Sequence, residues 1–238
     1  MRCAIMQPTY MPWAGYLNLM TEVDLFVYLD EVQYERASWQ NRNRVLVGGQ
    51  PVWLTVPVVR DFLGAPINLV HVDERLSWRR KHAALLKQAY ARHPFVADML
   101  ETTAVLDNVS LTRVAELNIA ILDQLRSKLG ITTPTVRSSE FSIDGMRSDR
   151  LLSILAHVEA TEYVTPPGSL DYLREDNFAG RSSARLLVHQ FQPTPYAQRG
   201  TESFFSHLSI LDVVAHLGWH GASSYIRPSV SCVRDFEE

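Results

Sequence analysis

Only two cysteines occur in the chain, Cys3 and Cys232, near opposite ends. They exclude a disulfide framework and a Cys-rich metal site, and a cytoplasmic, reducing location is expected. Long hydrophobic runs are missing as well. The longest are far too short to cross a bilayer, so no membrane partner is expected. The opening Met1-Arg2-Cys3-Ala4-Ile5-Met6 meets Gln7-Pro8 too early for a signal peptide. Neither sign of charge dominates. At a formal net charge of −3 nothing global pulls the protein toward nucleic acid or membrane, and only a local basic patch around Arg36, Arg42 and Arg44 is available. A Gly-rich phosphate loop, a Walker lysine, a nucleophile elbow, internal repeats and low-complexity linkers are all absent. The eight histidines are scattered. His216 and His220 have helical spacing, but Gly218 interrupts them, so no metal site is expected, and no motif points to a cofactor.

What the chain does have is 238 residues, 46% of them apolar, enough to bury a substantial core as a single domain over 1–238. Its densest stretch is Met1 to Pro57. A short apolar run, Cys3–Met6, meets a turn-rich segment that holds Gln7, Tyr10, Trp13, Gly15 and Tyr16. A second run ends in Leu29-Asp30 and Val32-Gln33-Tyr34, and a knot of amides, aromatics and cations follows at Trp39-Gln40-Asn41-Arg42-Asn43-Arg44. Polar groups in this number at the ends of apolar runs are costly in a core unless paired, and they suit a cleft.

Taken in order, Cys3–Met6 and Leu25–Leu29 read as buried parallel strands around a brief helix at Tyr16–Met20. Such a unit crosses over right-handed, and ligands sit outside the carboxyl ends of its strands. Gln7 to Trp13 and Asp30 to Gln33 are therefore expected on one rim, with Gln7 and Asp30 lining one concavity together with Trp13 or Tyr10. Arg44–Val47, Gly48-Gly49 and Val52–Val58 predict a β-hairpin, and Ile67–Val72 predicts a strand. A helical segment spans about 76–130: Leu76–Tyr90 with Trp78 and His82 on one face, and Val114–Leu129 stopped by Gly130. Asn118 lies inside the apolar stripe of the second helix and reads as structural. Further strands are predicted at Thr133–Arg137, Glu162–Val164 and Leu186–Phe191, with helices at Asp149–His157 and Leu208–Leu217. Asp212 falls on the apolar side of the last helix, where it reads as a brace to a backbone group or an arginine. The fold expected is α/β: a three-layer, Rossmann-like mixed sheet with an N-terminal β-hairpin and the inserted helical segment.

Gln7-Pro8 with Pro12-Trp13 and Gly15-Tyr16, then Asp24, Phe26-Val27, Leu29-Asp30, Val32-Gln33 and Trp39-Gln40-Asn41-Arg42-Asn43 resemble the opening of the WbqC-like family. Trp78, Lys81-His82, Asp171-Tyr172, Tyr196, Gln198 and Leu208-Ser209-Ile210-Leu211-Asp212 extend that resemblance over nearly the whole chain. The resemblance implies a place in surface-polysaccharide or specialised-metabolite biosynthesis and a glycyl-type aminoacyl or acyl transfer onto an amine or sugar intermediate. The small-molecule partner would then be an aminoacyl donor, either an activated amino acid or an aminoacyl-tRNA. More loosely, the first strand-helix-strand unit is similar to that of nucleotidyltransferase-like enzymes, pantothenate synthetase among them. Pro12-Trp13-Ala14-Gly15-Tyr16 stands where those enzymes carry His-x-Gly-His, so the fold carries over while the histidines of nucleotidyl transfer are missing.

On this reading Asp30 or His82 would accept a proton from an amine nucleophile, with Lys81 beside them. Gln7, Tyr10, Trp13, Tyr16, Gln33 and Trp39 would shape the substrate pocket, joined by Asp171, Tyr172 and Gln198. Asn41, Arg42 and Asn43 would hold an anionic group, since a guanidinium fork grips carboxylate or phosphate bidentately. The competing reading is a non-catalytic protein that binds an anionic or nucleotide-like ligand with the same residues.

Overall fold

The computed structural model describes residues 1–62 and 64–237. Strand β1 (Arg2–Met6) leads into helix α1 (Ala14–Thr21) and back to β2 (Leu25–Tyr28), which lies parallel to β1 with Cys3 opposite Leu25 and Met6 opposite Tyr28. Next come β3 (Arg42–Val47) and β4 (Gln50–Thr55), an antiparallel hairpin that forms its own two-stranded sheet. Its two-residue turn is Gly48-Gly49, at φ 59° and 79°, the left-handed pair that a right-twisted hairpin requires. The predicted strand at Ile67–Val72 is absent. Ile67–Leu69 is a 3-10 turn, and only single bridges join Val72 to Val58 and His71 to Arg113. Short apolar runs do not by themselves distinguish a strand from a packed turn.

Helices α2 (Trp78–Ala89), α3 (Val96–Glu101) and α4 (Val114–Leu129) follow. Gly130, at φ 64°, ends α4 in the left-handed cap that sequence spacing predicts. The chain then rejoins the main sheet through β5 (Thr135–Arg137), beside β2. Helix α5 (Arg147–His157) carries it across to β6 (Glu162–Thr165), on the other side of β1. Helices α6 (Leu170–Glu175) and α7 (Phe178–Arg181) lead to β7 (Arg185–His189), parallel to β6. Helix α8 (Ile210–Tyr225) and β8 (Val233–Asp235) close the chain. β8 pairs antiparallel with β7; its three residues, two of them charged, carry no strand signal of their own. Gly218 interrupts α8 at φ 68°, ψ 177°, a conformation open to glycine alone.

The sheet order is β5-β2-β1-β6-β7-β8. Alternation along its strands divides the core between two faces. Ala4, Phe26, Tyr28, Val164 and Leu187 pack with α1, α4, α8 and the hairpin. Cys3, Ile5, Val27, Tyr163 and Leu186 face the other way, against Leu151 and Ile154 of α5, Leu173 and Phe178. The result is a three-layer mixed α/β sandwich. No helix among the described residues is long and apolar enough to cross a membrane.

Candidate functional site

The chain winds outward from β1 to β2 and β5, then returns to β6 on the opposite side. The sheet therefore has its topological switch point between β1 and β6, where doubly wound sheets open a crevice at the carboxyl ends of their strands. A cavity of about 730 Å³ lies there, a volume suited to a small-molecule ligand. Gln7 enters it directly after β1, and Leu29 and Glu31 after β2. Val32, Gln33 and Glu35 follow along the next loop, and Tyr172 comes from α6. The start of α5 supplies Gly145, Met146, Arg147 and Arg150. At the amino-terminal rim a shallower depression of about 440 Å³ is bordered by Arg2, Glu22, Asp24 and Glu162, with Arg2 already committed to Glu162 at 2.7 Å.

Charge in the cavity is divided. Arg150 pairs with Glu31, and Arg147 reaches Glu175 at 3.3 Å and Asp176 at 3.4 Å while its guanidinium lies 5.8 Å from the Tyr172 ring. Helix α5 begins without a side-chain cap, so its positive dipole end lies at the same region. Arg147 itself has φ 50°, a left-handed conformation that costs a non-glycine residue about 1 kcal/mol or more. Glu35 is exposed and has no ion pair among the described residues. Gln40, fully buried, sets its position. The Glu35 backbone N–H donates to Gln40 Oε1 at 3.0 Å, and Gln40 Nε2 donates to Gln7 Oε1 at 2.8 Å. One amide side chain thus fixes two walls of the cavity.

Most of the amide and aromatic knot serves this scaffold. Asn41 Nδ2 donates to the Val56 carbonyl at 2.9 Å, and Asn43 Nδ2 to that of Met11 at 2.8 Å. Asn118, as its place in the stripe predicts, is structural: its Nδ2 holds the carbonyls of Pro8 at 3.0 Å and Gln40 at 2.7 Å. Tyr16 donates its hydroxyl to the Gln7 carbonyl at 3.0 Å. Arg42 lies with its guanidinium 4.1 Å over Trp53, and Trp39 is 5.6 Å from the same ring. Trp13 bridges to Ser209 and packs against His207 and Phe191 in a separate crevice.

Gln7 and Asp30 do sit at one rim, after adjacent strands, but Asp30 does not line the cavity. Its carboxylate is buried and occupied: Oδ1 accepts from Ser139 N at 3.1 Å, and Oδ2 from Ser139 Oγ at 2.8 Å. It ties the end of β2 to the turn after β5. His82 is a core residue bonded through Nδ1 to Tyr10 OH at 2.9 Å, and Lys81 is exposed beside it on α2. Of the other expected pocket residues, Gln33 and Tyr172 line the cavity, Asp171 is exposed on α6, and Gln198 is buried against Asp212 at 3.2 Å. Glu31, Glu35, Arg147 and Arg150 are the site residues that sequence reasoning missed. The signals available for them were the alternation from Leu29 to Glu35 and the i, i+3 arginines at the start of a helix.

Burial lowers the His82 pKa from 6.5 to about 4, and His189, bonded to Asn18 Oδ1 at 2.5 Å, falls to about 4 for the same reason. The unfolded chain therefore takes up protons between pH 6.5 and 4 that the folded chain refuses. Each histidine contributes stability that is present above about pH 6.5 and lost as pH falls. Going from about pH 7 to about pH 5 should cost roughly 2 kcal/mol per histidine, before partial compensation by relaxation. Urea unfolding of His82→Gln at both pH values should show a shallower pH slope than the wild-type protein. An unchanged slope would show that His82 is solvated.

A family model described as "WbqC-like protein family" matches residues 7–224. An uncharacterized protein of Mycobacterium tuberculosis strain H37Rv, Rv1507c, is 29% identical over 228 residues, which cover 95% of this chain and 97% of that protein. No solved structure matches the chain significantly.

Proposed function

We propose, from the premise that this chain belongs to the WbqC-like protein family, that the cavity at the switch point is the site of an acyl transfer. An acyl or glycyl-type aminoacyl group would pass from an activated donor to the amine of a sugar or related intermediate in surface-polysaccharide or specialised-metabolite biosynthesis. The observation that carries this reading is Glu35, the one carboxylate of the cavity wall without an ion pair among the described residues, held in register with Gln7 by Gln40. An amine must lose a proton as it attacks. The amine nitrogen bonds to the acyl carbon, the bond from that carbon to the donor oxygen breaks, and the amine proton passes to Glu35. From there it can be returned to the departing oxygen. Arg147, exchanging its contacts with Glu175 and Asp176, and the uncapped start of α5 would hold an anionic part of donor or acceptor. Glu35 takes the proton-accepting role expected of Asp30 and His82, because Asp30 is saturated by serine donors and His82 is sealed into the core.

Transfer is tested with tRNA charged with labelled glycine and a set of nucleotide-activated amino sugars, following the label into product. Glu35→Gln should slow turnover about 10²–10⁴-fold and leave acceptor affinity, read by calorimetry, within about tenfold. Parallel loss of binding and turnover would remove Glu35 from the proton-transfer role. Acceptor binding by the wild-type protein without any transfer would favour the non-catalytic reading.

A further inference from the structure

A second cleft, floored in part by Val56, Pro57 and Val58, lies on the far side of the segment that walls the cavity. Along the loop after β2 the side chains alternate. Gln33 and Glu35 line the 730 Å³ cavity, while Tyr34 and Arg36 line a separate cleft of about 200 Å³ that is completed by Asn41, Thr55 and Arg60. Two buried polar atoms in residues lining this cleft have no partner among the described residues: Tyr34 OH, in a side chain only 3% exposed, and Asn41 Oδ1, in one 4% exposed. Buried groups of this kind are rarely left unpaired unless a ligand or water satisfies them. Burial pushes the Tyr34 phenol up to about 12, with Arg36 pulling it down, so the phenol remains a hydrogen-bond donor. Arg36 and Arg60 have no carboxylate within 4.0 Å among the described residues.

The outer face of the hairpin continues from the cleft. Thr55 pairs with Arg42, and Trp53 with Arg44. Trp53 stands two positions from Thr55 on the same face of β4, about 7 Å along the strand. Trp39 and Trp53 are 43% and 42% exposed and lie 5.6 Å apart. Arg42 and Arg44 sit 4.1 Å and 5.6 Å from the Trp53 ring, and neither is ion-paired among the described residues. A cationic cleft that offers a phenol donor and an amide acceptor, adjoining an exposed aromatic platform, has the composition of a site for phosphate and base together.

We propose that this cleft and platform bind a nucleoside phosphate. Arg36, Arg60 and Tyr34 hold the phosphate, Asn41 Oδ1 accepts from a hydroxyl or amino group, and the base stacks on Trp39 and Trp53. The ligand is a free nucleotide or the unpaired end of an RNA strand, since both present the same base and phosphate. The inference concerns binding alone and stands apart from the chemistry assigned to Glu35.

Calorimetry at low salt with adenosine monophosphate, adenosine and a ten-nucleotide single-stranded RNA tests it. The monophosphate should bind at least tenfold more tightly than adenosine. Arg36→Ala with Arg60→Ala, and separately Trp53→Ala, should each weaken binding at least tenfold, with thermal melts confirming that these exposed positions leave the fold intact. Tyr34→Phe, which deletes only the hydroxyl, should weaken the monophosphate and not adenosine. RNA that binds more tightly than the monophosphate, with a steep salt dependence, assigns the site to a strand end; equal affinities assign it to a free nucleotide. Absence of binding, affinities unmoved by these substitutions, or binding of a sulfated glycan in place of both nucleotide ligands would overturn the proposal.

Discussion

Replacing Asp212 with alanine is expected to lower the unfolding free energy by about 3–5 kcal/mol. Asp212 is fully buried in the first turn of α8, after the capping Ser209. Sequence reasoning assigns it a backbone or arginine partner. The structure instead surrounds it with neutral donors: Tyr90 OH at 2.8 Å on Oδ1, and Tyr196 OH at 2.5 Å and Gln198 Nε2 at 3.2 Å on Oδ2. Burial and the carboxylate together hold both phenols well above the usual tyrosine range, so both remain donors. The His216 ring lies between the Arg199 backbone N–H, which donates to Nε2 at 3.0 Å, and the Asp212 carbonyl, 2.7 Å from Nδ1, with Nδ1 also 3.7 Å from the Asp212 carboxylate. The carboxylate is stabilised by hydrogen bonds and by the positive end of α8. Tyr90 OH also accepts from Leu46 N–H of β3 at 3.1 Å, so this one group joins α2, the hairpin, α8 and the loop that precedes α8. Removing it orphans the buried Tyr90 phenol and the half-buried Tyr196 phenol. Urea denaturation should show a lower midpoint at an unchanged m-value. Asp212→Asn, which keeps the shape and one acceptor oxygen, should lose less. A loss below about 1 kcal/mol in Asp212→Ala would mean that water replaces the carboxylate.

Asn118→Leu is expected to cost about 3 kcal/mol, since two buried backbone carbonyls lose a shared donor. For a chain of this size that corresponds to a fall of roughly 6–12 °C in melting temperature. The effect should reach the cavity. Asn118 pins the Gln40 carbonyl, and Gln40 in turn positions Gln7 and Glu35. Ligand affinity should therefore drop although residue 118 lines no part of the cavity wall. A melting temperature within about 2 °C of wild type would refute the brace. A destabilised variant with unchanged affinity would show that Gln40 keeps its place without Asn118.

Part of this architecture was legible in the residue order. Cys3–Met6 and Leu25–Tyr28 are continuous apolar runs, as strands covered on both faces must be. Gly48-Gly49 between β-branched runs admits little except a hairpin. Gly130 and Gly218 stop or break helices where their spacing indicates, because the left-handed backbone they adopt is strained for other residues. Strand topology alone then placed Gln7 and the residues after β2 on one rim. The buried amide of Asn118 was readable too, because a polar group inside an apolar stripe must find a partner.

The sequence could not rank polar residues by where they point. Leu29, Asp30 and Glu31 are consecutive, yet the pleat and the turn after β5 turn Asp30 onto Ser138 and Ser139 and leave Glu31 to the cavity. Acidic residues look alike in a list, and only the distant donors decide which is a brace and which faces the cavity. The same holds for Arg147 and Arg150, which reach the cavity because α5 crosses to the far side of the sheet. Strand β8, three residues long, exists only because β7 leaves an edge for it to pair with. The pattern of apolar residues and glycines determined the layers, the hairpin and the rim. Contacts between residues more than one hundred positions apart, such as Asn118 with Pro8 and Tyr90 with Asp212, decided which polar groups hold the fold and which face a ligand, because hydrogen-bond partners are set by three-dimensional proximity and local sequence does not encode it.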